Sequence, residues 1–358
     1  MNNTFSSNDY KSKKFIKKFN DMWVEKCVGY DKIDNNLPPV NRIIVIGDIH
    51  GDIEILLECL IKAKLIEDKK ILDYSIDWDN VITWTGGDTV VVQVGDQIDS
   101  CRYDGKHSCS DPSFYGSDMA NDINILYFMT NLHKKARAYG GAIYSLIGNH
   151  ELMNVIGDMS YVSHSNIISH SKNKNIEEGM KNRIDSFRPG NKMANFLACT
   201  RKIVLKIGDN LFVHAGIVPY ITKKYNIDDI NRILTLFLLD EFKDLDDIIK
   251  NDIFMSSEHS PLWTRIFGSK NIDKKCDELM NPLEQIYKVG KIFVGHTPQL
   301  KTGIISKCKD RVWLTDAGMP SAFNKFDHIS IKTKGKERDK PRSAQVLEIK
   351  ESVITVLR

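Results

Sequence analysis

What the chain lacks narrows the field before anything it contains. No apolar run approaches the roughly 18 residues that a membrane-crossing helix needs. Met1 to Asp21 is polar, carries five lysines and has no apolar core of the kind that defines a secretory leader. Charge of neither sign dominates: 50 Lys and Arg against 47 Asp and Glu leave a formal net charge of +3. That balance gives no electrostatic reason to expect nucleic acid or an anionic membrane as a partner. Internal repeats and long low-complexity linkers are absent. Seven cysteines are an odd and widely scattered count, which does not outline a disulfide framework. The expectation is a soluble, intracellular protein. The abundance of Asn, Ile and Lys fits an AT-rich genome such as that of a protist or a large virus; for a virus the compartment would be host cytoplasm or virion.

Hydrophobic residues make up 42% of the 358, and 27% are charged, so a packed core is available and global disorder is excluded. Residues 1–40 read as a polar lead and a short helix ending at Pro38-Pro39. Residues 41–358 read as one α/β domain with a loop insertion at about 100–117 and a polar cap insertion at about 159–191. The run Ile43-Ile44-Val45-Ile46 is short, β-branched and closed by Gly47, which predicts a buried strand. Apolar positions from Ile53 to Leu65 recur at helical spacing. Val81 to Trp84 and Thr89 to Val94 flank Gly86-Gly87 and read as a hairpin. A helix over 118–138 and a strand over 142–147 continue the alternation. Further strands are expected at 202–207, 211–213, 291–294, 312–315, 328–332, 344–349 and 353–357, with helices at 227–242 and 282–289. The alternation argues for an α/β sheet with crossover helices and a second sheet packed on it. In such sheets ligands bind beyond the carboxyl ends of the strands.

Five polar clusters sit at those ends: Gly47-Asp48-Ile49-His50-Gly51, Gly95-Asp96-Gln97-Ile98-Asp99, Gly148-Asn149-His150-Glu151, Val213-His214-Ala215-Gly216 and Val294-Gly295-His296. A Gly-Asp after a strand is usually only a turn, and a lone His is usually structural. Five such clusters in succession are different. Asp48, His50, Asp96, Asn149, His214 and His296 supply carboxylate, amide and imidazole donors from several strand ends, as a pair of metal ions requires. Glycines beside them let the backbone turn sharply and leave room for ions and phosphate.

The order GDxHG, GDxxD, GNHE, VHxG, GH resembles the signature of the calcineurin-like metallophosphoesterases. The Glu after GNH points to the PPP-type phosphoprotein phosphatases. Trp84 to Gly87, Val92 to Asp96, Gly148 to Asn154, Phe212 to Gly216, Pro261 to Arg265, Val294 to Gln299 and Asp316 to Met319 resemble the Shewanella-like phosphatase branch. The resemblance covers about residues 42–332. It implies a four-layer α/β/β/α sandwich with a dimetal site at the strand carboxyl ends. It also implies hydrolysis of a phosphomonoester by a metal-activated hydroxide without a phosphoenzyme. Asp48 and His50 would hold the first metal, Asp96 would bridge, and Asn149, His214 and His296 would hold the second. His150 would protonate the leaving oxygen, with Asp99 orienting and charge-stabilising it. Arg265 matches the family's second phosphate-binding arginine, and Asn149 and Arg102 are the further candidates for phosphate contact. The metals would be Mn, Fe or Zn, and the substrate a phosphoprotein or phosphopeptide, with phosphotyrosine as plausible as phosphoserine or phosphothreonine.

Two departures stand out. Ser100 and Cys101 occupy the place of the family's Arg-Gly, so either Arg102 reaches in from the loop, another arginine such as Arg188 substitutes, or phosphate is held more weakly. Ala215 replaces the first Gly of the His-Gly-Gly motif. Among smaller signals, Cys101, His107 and Cys109 read as surface residues with free thiols, a regulatory disulfide or zinc site being the alternatives. Lys332 to Arg342 reads as a solvated basic loop, with contact to an acidic partner as the alternative. His164 and His170 are expected on the exposed insertion, Trp263 in packing, and Trp23, Trp78 and Trp313 at core or edge. Two other functions fit parts of the pattern: a diadenosine-polyphosphate-type or other small-molecule phosphoesterase, and a catalytically dead binding module.

Overall fold

The computed structural model describes residues 11–67, 82–102, 107–112, 122–242, 245–255, 257–326 and 342–358. Eleven strands form two sheets among them. In the first, β2 (Arg42–Ile46) runs parallel to β3 (Val90–Gln93), and β3 parallel to β4 (Ala142–Ser145). The sheet is completed beside β2 by antiparallel β10 (Val346–Lys350) and β11 (Val353–Leu357). The second has the order β1 (Asn36–Leu37), β5 (Val204–Ile207), β6 (Asn210–Val213), β7 (Lys291–Val294), β9 (Val312–Leu314), β8 (Ile305–Lys307). Its central strands β6, β7 and β9 are parallel.

The sheets pack face to face. One continuous apolar core contains Val45, Val91 and Leu347 of the first sheet together with Leu205, Phe212, Phe293 and Trp313 of the second. Phe212 and Phe293 stack with centroids 4.9 Å apart. Helices Ile53–Lys62 and Asp122–Arg137 cover the outer face of the first sheet through Leu56, Leu60, Phe128 and Leu132. Helices Lys13–Lys26, Lys192–Thr200, Ile227–Leu238 and Cys276–Pro282 cover the second with Phe19, Leu197, Ile230 and Leu279. The result is the four-layer α/β/β/α sandwich. Strands covered on both sides must be apolar throughout, which is why Ile44, Val45 and Ile46 are all fully buried. No helix among the described residues is long and apolar enough to cross a membrane.

Several expectations need correction. Trp84 does not pair with β3 in a hairpin. It makes a single antiparallel bridge to Ile66, and its indole Nε1 donates to Gly87 O at 3.0 Å. The strands at 346–350 and 353–357 join the first sheet rather than the second, and β1 and β8 were not anticipated. The polar insertion is helical: His164–Ile168 and Ile176–Phe187 are capped by Ser163 and Asn175, and Ile176, Met180 and Ile184 of the second pack against Met159, Val162 and Ile167. His164 and His170 are half-buried rather than exposed, and His170 Nδ1 donates to Asn166 O at 3.0 Å. The cysteines differ most. Cys27–Cys199, Cys101–Cys109 and Cys276–Cys308 are disulfides, leaving Cys59 as the buried free thiol. The first joins residues 172 apart in sequence, a pairing that only the tertiary fold brings together. Trp78, the strand at 328–332, residues 332–341 of the basic segment and, within the 100–117 insertion, residues 103–106 and 113–117 lie outside the described residues.

Candidate active site

All five clusters arrive at the same end of the two sheets, following β2, β3, β4, β6 and β7. Sharp turns place the side chains, and after β2, β3 and β7 they require unusual backbone. His50, Asp96, Asp99 and His296 all have positive φ, from 45° to 71°. For residues with a Cβ that region costs about 1–3 kcal/mol each and persists only where the surroundings impose it. Close approach explains two glycines. A Cβ on Gly295 would lie 2.1 Å from Asp48 Oδ1, and one on Gly148 would lie 2.1 Å from Asp96 Oδ1.

The hydrogen bonds fix which atoms face inward. His214 Nδ1 donates to Val94 O at 2.9 Å, so its Nε2 lone pair points into the site. His296 Nε2 donates to Trp263 O at 3.1 Å, which turns its Nδ1 lone pair the same way. Those two nitrogens are 3.2 Å apart, with Asn149 Oδ1 at 2.9 Å and Asp96 Oδ2 at 3.3 Å from His214 Nε2. Four acceptors thus converge with no donor between them, an arrangement that suits a cation. Nearby, His50 Nδ1 donates to Ile98 O, leaving Nε2 3.9 Å from Asp48 Oδ2 and 3.8 Å from Asp96 Oδ2. Asp48 Oδ2 accepts from His296 N, while Asp48 Oδ1 is buried with no hydrogen-bond partner. Asp316 Oδ2 is a second such buried, unpartnered oxygen.

The electrostatics agree. Burial, reinforced by Asp316 and Asp96, pushes the Asp48 carboxyl well above its ordinary range. Burial also raises Asp316, to about 6. Burial, then Arg102 and His150, holds His50 well below its usual value, and burial with His214 and Arg265 does the same for His296. Neutral imidazoles are the form that binds metal. Burial works against charge on His214, yet Asp96 outweighs it and raises that pKa. Burial opposes charge on Asp96 too, but His214 and His150 hold its carboxyl well below its ordinary range. Carboxylate, amide and imidazole donors around two adjoining spots, with Asp96 common to both, fit a pair of divalent or trivalent ions.

His150 Nε2 lies 3.9 Å from Asp96 Oδ2, against 3.8 Å for His50 Nε2. Its other nitrogen distinguishes it: Nδ1 donates to Asp99 Oδ2 at 2.8 Å. This bond fixes the tautomer and presents Nε2 to the site.

The arginines resolve into three situations. Arg102 reaches in from the loop, its Nη2 2.6 Å from His50 Nε2 and its Nη1 donating to the Asp99 and Cys101 carbonyls. Its guanidinium lies over the rings of Phe323 (4.9 Å) and Tyr161 (5.3 Å). Arg265 is exposed at the rim and donates to His296 O at 2.8 Å. Arg188 is 64% exposed and paired with Asp185 on the surface, so it is not at the site. Ala215 is buried and donates its N–H to Pro261 O at 2.9 Å; the added methyl is accommodated.

Sequence reasoning missed several residues here. Glu151 accepts four backbone N–H groups, from Asp96, Gln97, Ile98 and Gly148, at 2.7–3.1 Å. It clamps the second and third clusters together. Asp316 was visible only within a resembling segment. Asn154, Asp122 and Arg183 form a buried group behind Asp99, and of the three only Asn154 lies in a segment that carries the family resemblance.

The profile of the calcineurin-like phosphoesterase family matches residues 41–300. An uncharacterised mimivirus protein, R398 of Acanthamoeba polyphaga mimivirus, is 35% identical across 56% of this chain and 90% of its own length. Shewanella-like protein phosphatase 1 of Plasmodium berghei is 31% identical, covering 83% of this chain and 72% of the relative. Among solved structures, a cold-active protein tyrosine phosphatase shares the fold with a TM-score of 0.62 at 22% identity, over 91% of this chain and 81% of that one.

Proposed function

This chain belongs to the calcineurin-like phosphoesterase family and is a metallophosphatase that hydrolyses phosphoesters; from that premise we propose that it acts on phosphoproteins. The observation that carries the reading is the buried His150–Asp99 pair, 2.8 Å apart beside the candidate metal ligands. A positioned proton donor matters most when the departing oxygen is a poor leaving group, as the hydroxyl of Ser, Thr or Tyr is. A departing phosphate, as in a dinucleoside polyphosphate, is already a stable anion and needs that proton less. The relative named as a protein phosphatase supports the same substrate class.

In this reading Asp48, His50 and Asp96 hold one ion and Asp96, Asn149, His214 and His296 the other, with Mn, Fe or Zn as the metals. When bound, the pair supplies Lewis acidity, activating water and offsetting phosphoryl charge. Arg265, exposed at the rim, and Arg102 donate to the phosphate oxygens through planar guanidinium forks, and Asn149 adds an amide contact. His150 Nε2 delivers a proton to the leaving oxygen while Asp99 holds the ring in place. Residues 41–358 act as one catalytic domain, with no nucleic acid or membrane involved.

The test is hydrolysis of an aryl phosphate by chelator-stripped protein with and without manganese, followed by phosphotyrosine, phosphoserine and phosphothreonine peptides beside a dinucleoside polyphosphate. Manganese-dependent turnover with peptides preferred supports the proposal. Preference for the dinucleotide moves the substrate class, and silence with every divalent metal sinks the catalytic reading.

A further inference from the structure

The helical insertion carries a charge into the heart of the molecule. Arg183, on helix Ile176–Phe187, has no exposed side-chain surface. Its Nε donates to Asn154 Oδ1 at 2.8 Å, Nη1 to Asp122 Oδ1 at 3.0 Å, and Nη2 to Asp122 Oδ2 at 2.7 Å and to Asp99 Oδ1 at 3.5 Å. Its plane lies over Phe187. Asn154 passes the constraint on: its Nδ2 faces both Asp99 oxygens, at 3.0 and 3.1 Å, and the His150 carbonyl at 3.0 Å. Asp122 takes the Asp99 N–H at 3.4 Å. These bonds from Arg183 lead to Asp99 directly or through Asn154 and Asp122, which hold it, and Asp99 Oδ2 holds His150 Nδ1.

A buried guanidinium is costly unless fully used, and a site residue is only as well aimed as the groups that lock it. We propose that Arg183 is a positioning residue for the proton-donating pair: from the insertion it sets the Asp99 carboxylate, and through it the His150 ring, against the leaving oxygen. The Arg183 bonds to Asn154, Asp122 and Asp99 place its action on the proton-donating pair rather than on the candidate metal ligands. The inference rests on His150 being the proton donor, and adds that the cap insertion is part of the catalytic apparatus.

Leaving-group dependence separates this role from simple support of the fold. Metal loading and folding affect all substrates alike, whereas proton donation matters for phenyl phosphate and little for 2,4-dinitrophenyl phosphate, whose phenolate leaves unaided. Holoenzyme variants Arg183→Met, Arg183→Lys and His150→Asn are compared on both substrates, with metal content and circular dichroism measured alongside. General acid catalysis contributes about 10²–10⁴-fold. His150→Asn should show that loss on phenyl phosphate only. Arg183→Met should lose about 10–100-fold in kcat on phenyl phosphate, less than threefold or so on the dinitrophenyl ester, with KM nearly unchanged. Arg183→Lys should fall between Met and the parent, with the same selectivity. Equal losses on both esters, or none, in folded and metal-loaded Arg183→Met overturn the proposal while His150→Asn stays selective. A His150→Asn without selectivity instead removes the proton-donor reading, and the proposal with it. Should Arg183→Met not fold, Arg183→Lys decides on the same criterion.

Discussion

Replacing Glu151 by Gln removes one charge and almost no volume, yet it should be among the most damaging changes available outside the metal-binding residues. The carboxylate is fully buried, with each oxygen accepting two backbone N–H groups. Oε1 takes Gln97 and Ile98 at 2.7 and 3.1 Å; Oε2 takes Asp96 and Gly148 at 3.0 and 2.7 Å. An amide offers one acceptor oxygen, so one pair of N–H groups would face an NH2 donor. Two orphaned buried donors cost about 1–3 kcal/mol each, and weakening two charge-assisted bonds to neutral ones adds about 1 kcal/mol apiece. A total of about 4–8 kcal/mol rivals the whole stability of many domains, about 5–15 kcal/mol. The released loop also carries Asp96 and Asp99 at positive φ, so the metal pair should loosen with it. Urea unfolding of stripped and loaded protein, with metal content by elemental analysis, tests both parts. A variant that unfolds within about 1 kcal/mol of the parent and keeps its metals would refute the clamp; losses of that size belong to ordinary surface substitutions.

Other outcomes follow from the same geometry. His50 Nε2 has one lone pair, which serves either an ion or Arg102 Nη2; Arg102→Ala should therefore tighten metal binding while raising KM for phosphate esters, and weaker metal binding in titration would contradict this. Cys27–Cys199 closes a far longer loop than Cys101–Cys109, 172 against 8 residues. Chain-entropy scaling makes the paired serine replacement cost about 5 kcal/mol for the first and about 2.5 kcal/mol for the second, so equal shifts in denaturant midpoint would argue against the pairing. Burial, with Lys32 adding to it, pushes the Lys202 ammonium down to about 8. The folded protein then binds that proton more weakly than the unfolded chain, so stability rises with pH from about 8 toward 10.5. Lys202→Met should melt higher than the parent near neutral pH, and the gap should close as pH approaches 10.5; a constant gap would show that the effect is not this titration.

The parts of the molecule legible in the sequence are those whose information is local. Ile43 to Ile46 announces a doubly covered strand by composition alone, and the clusters at 47–51, 95–99 and 148–151 announce themselves by abrupt polarity after an apolar run. Trp84 misled because two glycines beside an apolar pair look like a hairpin whether or not the strands meet. The disulfides were hidden because Cys27 and Cys199 become neighbours only when two helices pack. Arg183 was hidden for the same reason: within a polar helix, nothing in Asn182-Arg183-Ile184 tells a solvated arginine from one aimed at a buried carboxylate. Four-residue spacing does connect His150 to Asn154, and the bond from the Asn154 amide to the His150 carbonyl is the one piece of that group a helical reading could have found.

Pairing β2 with β10 gives the order of synthesis a meaning. Val45, which precedes the first polar cluster, lies opposite Leu347, so a strand made early waits on the ribosome for a partner made long after. Until that partner emerges, β2 presents an open edge bearing Ile43 to Ile46, the kind of template on which nascent chains stick to one another. Production of this protein should accordingly depend on chaperone capacity and growth temperature more than its final packing would suggest, and transcripts truncated before residue 346 should yield insoluble product.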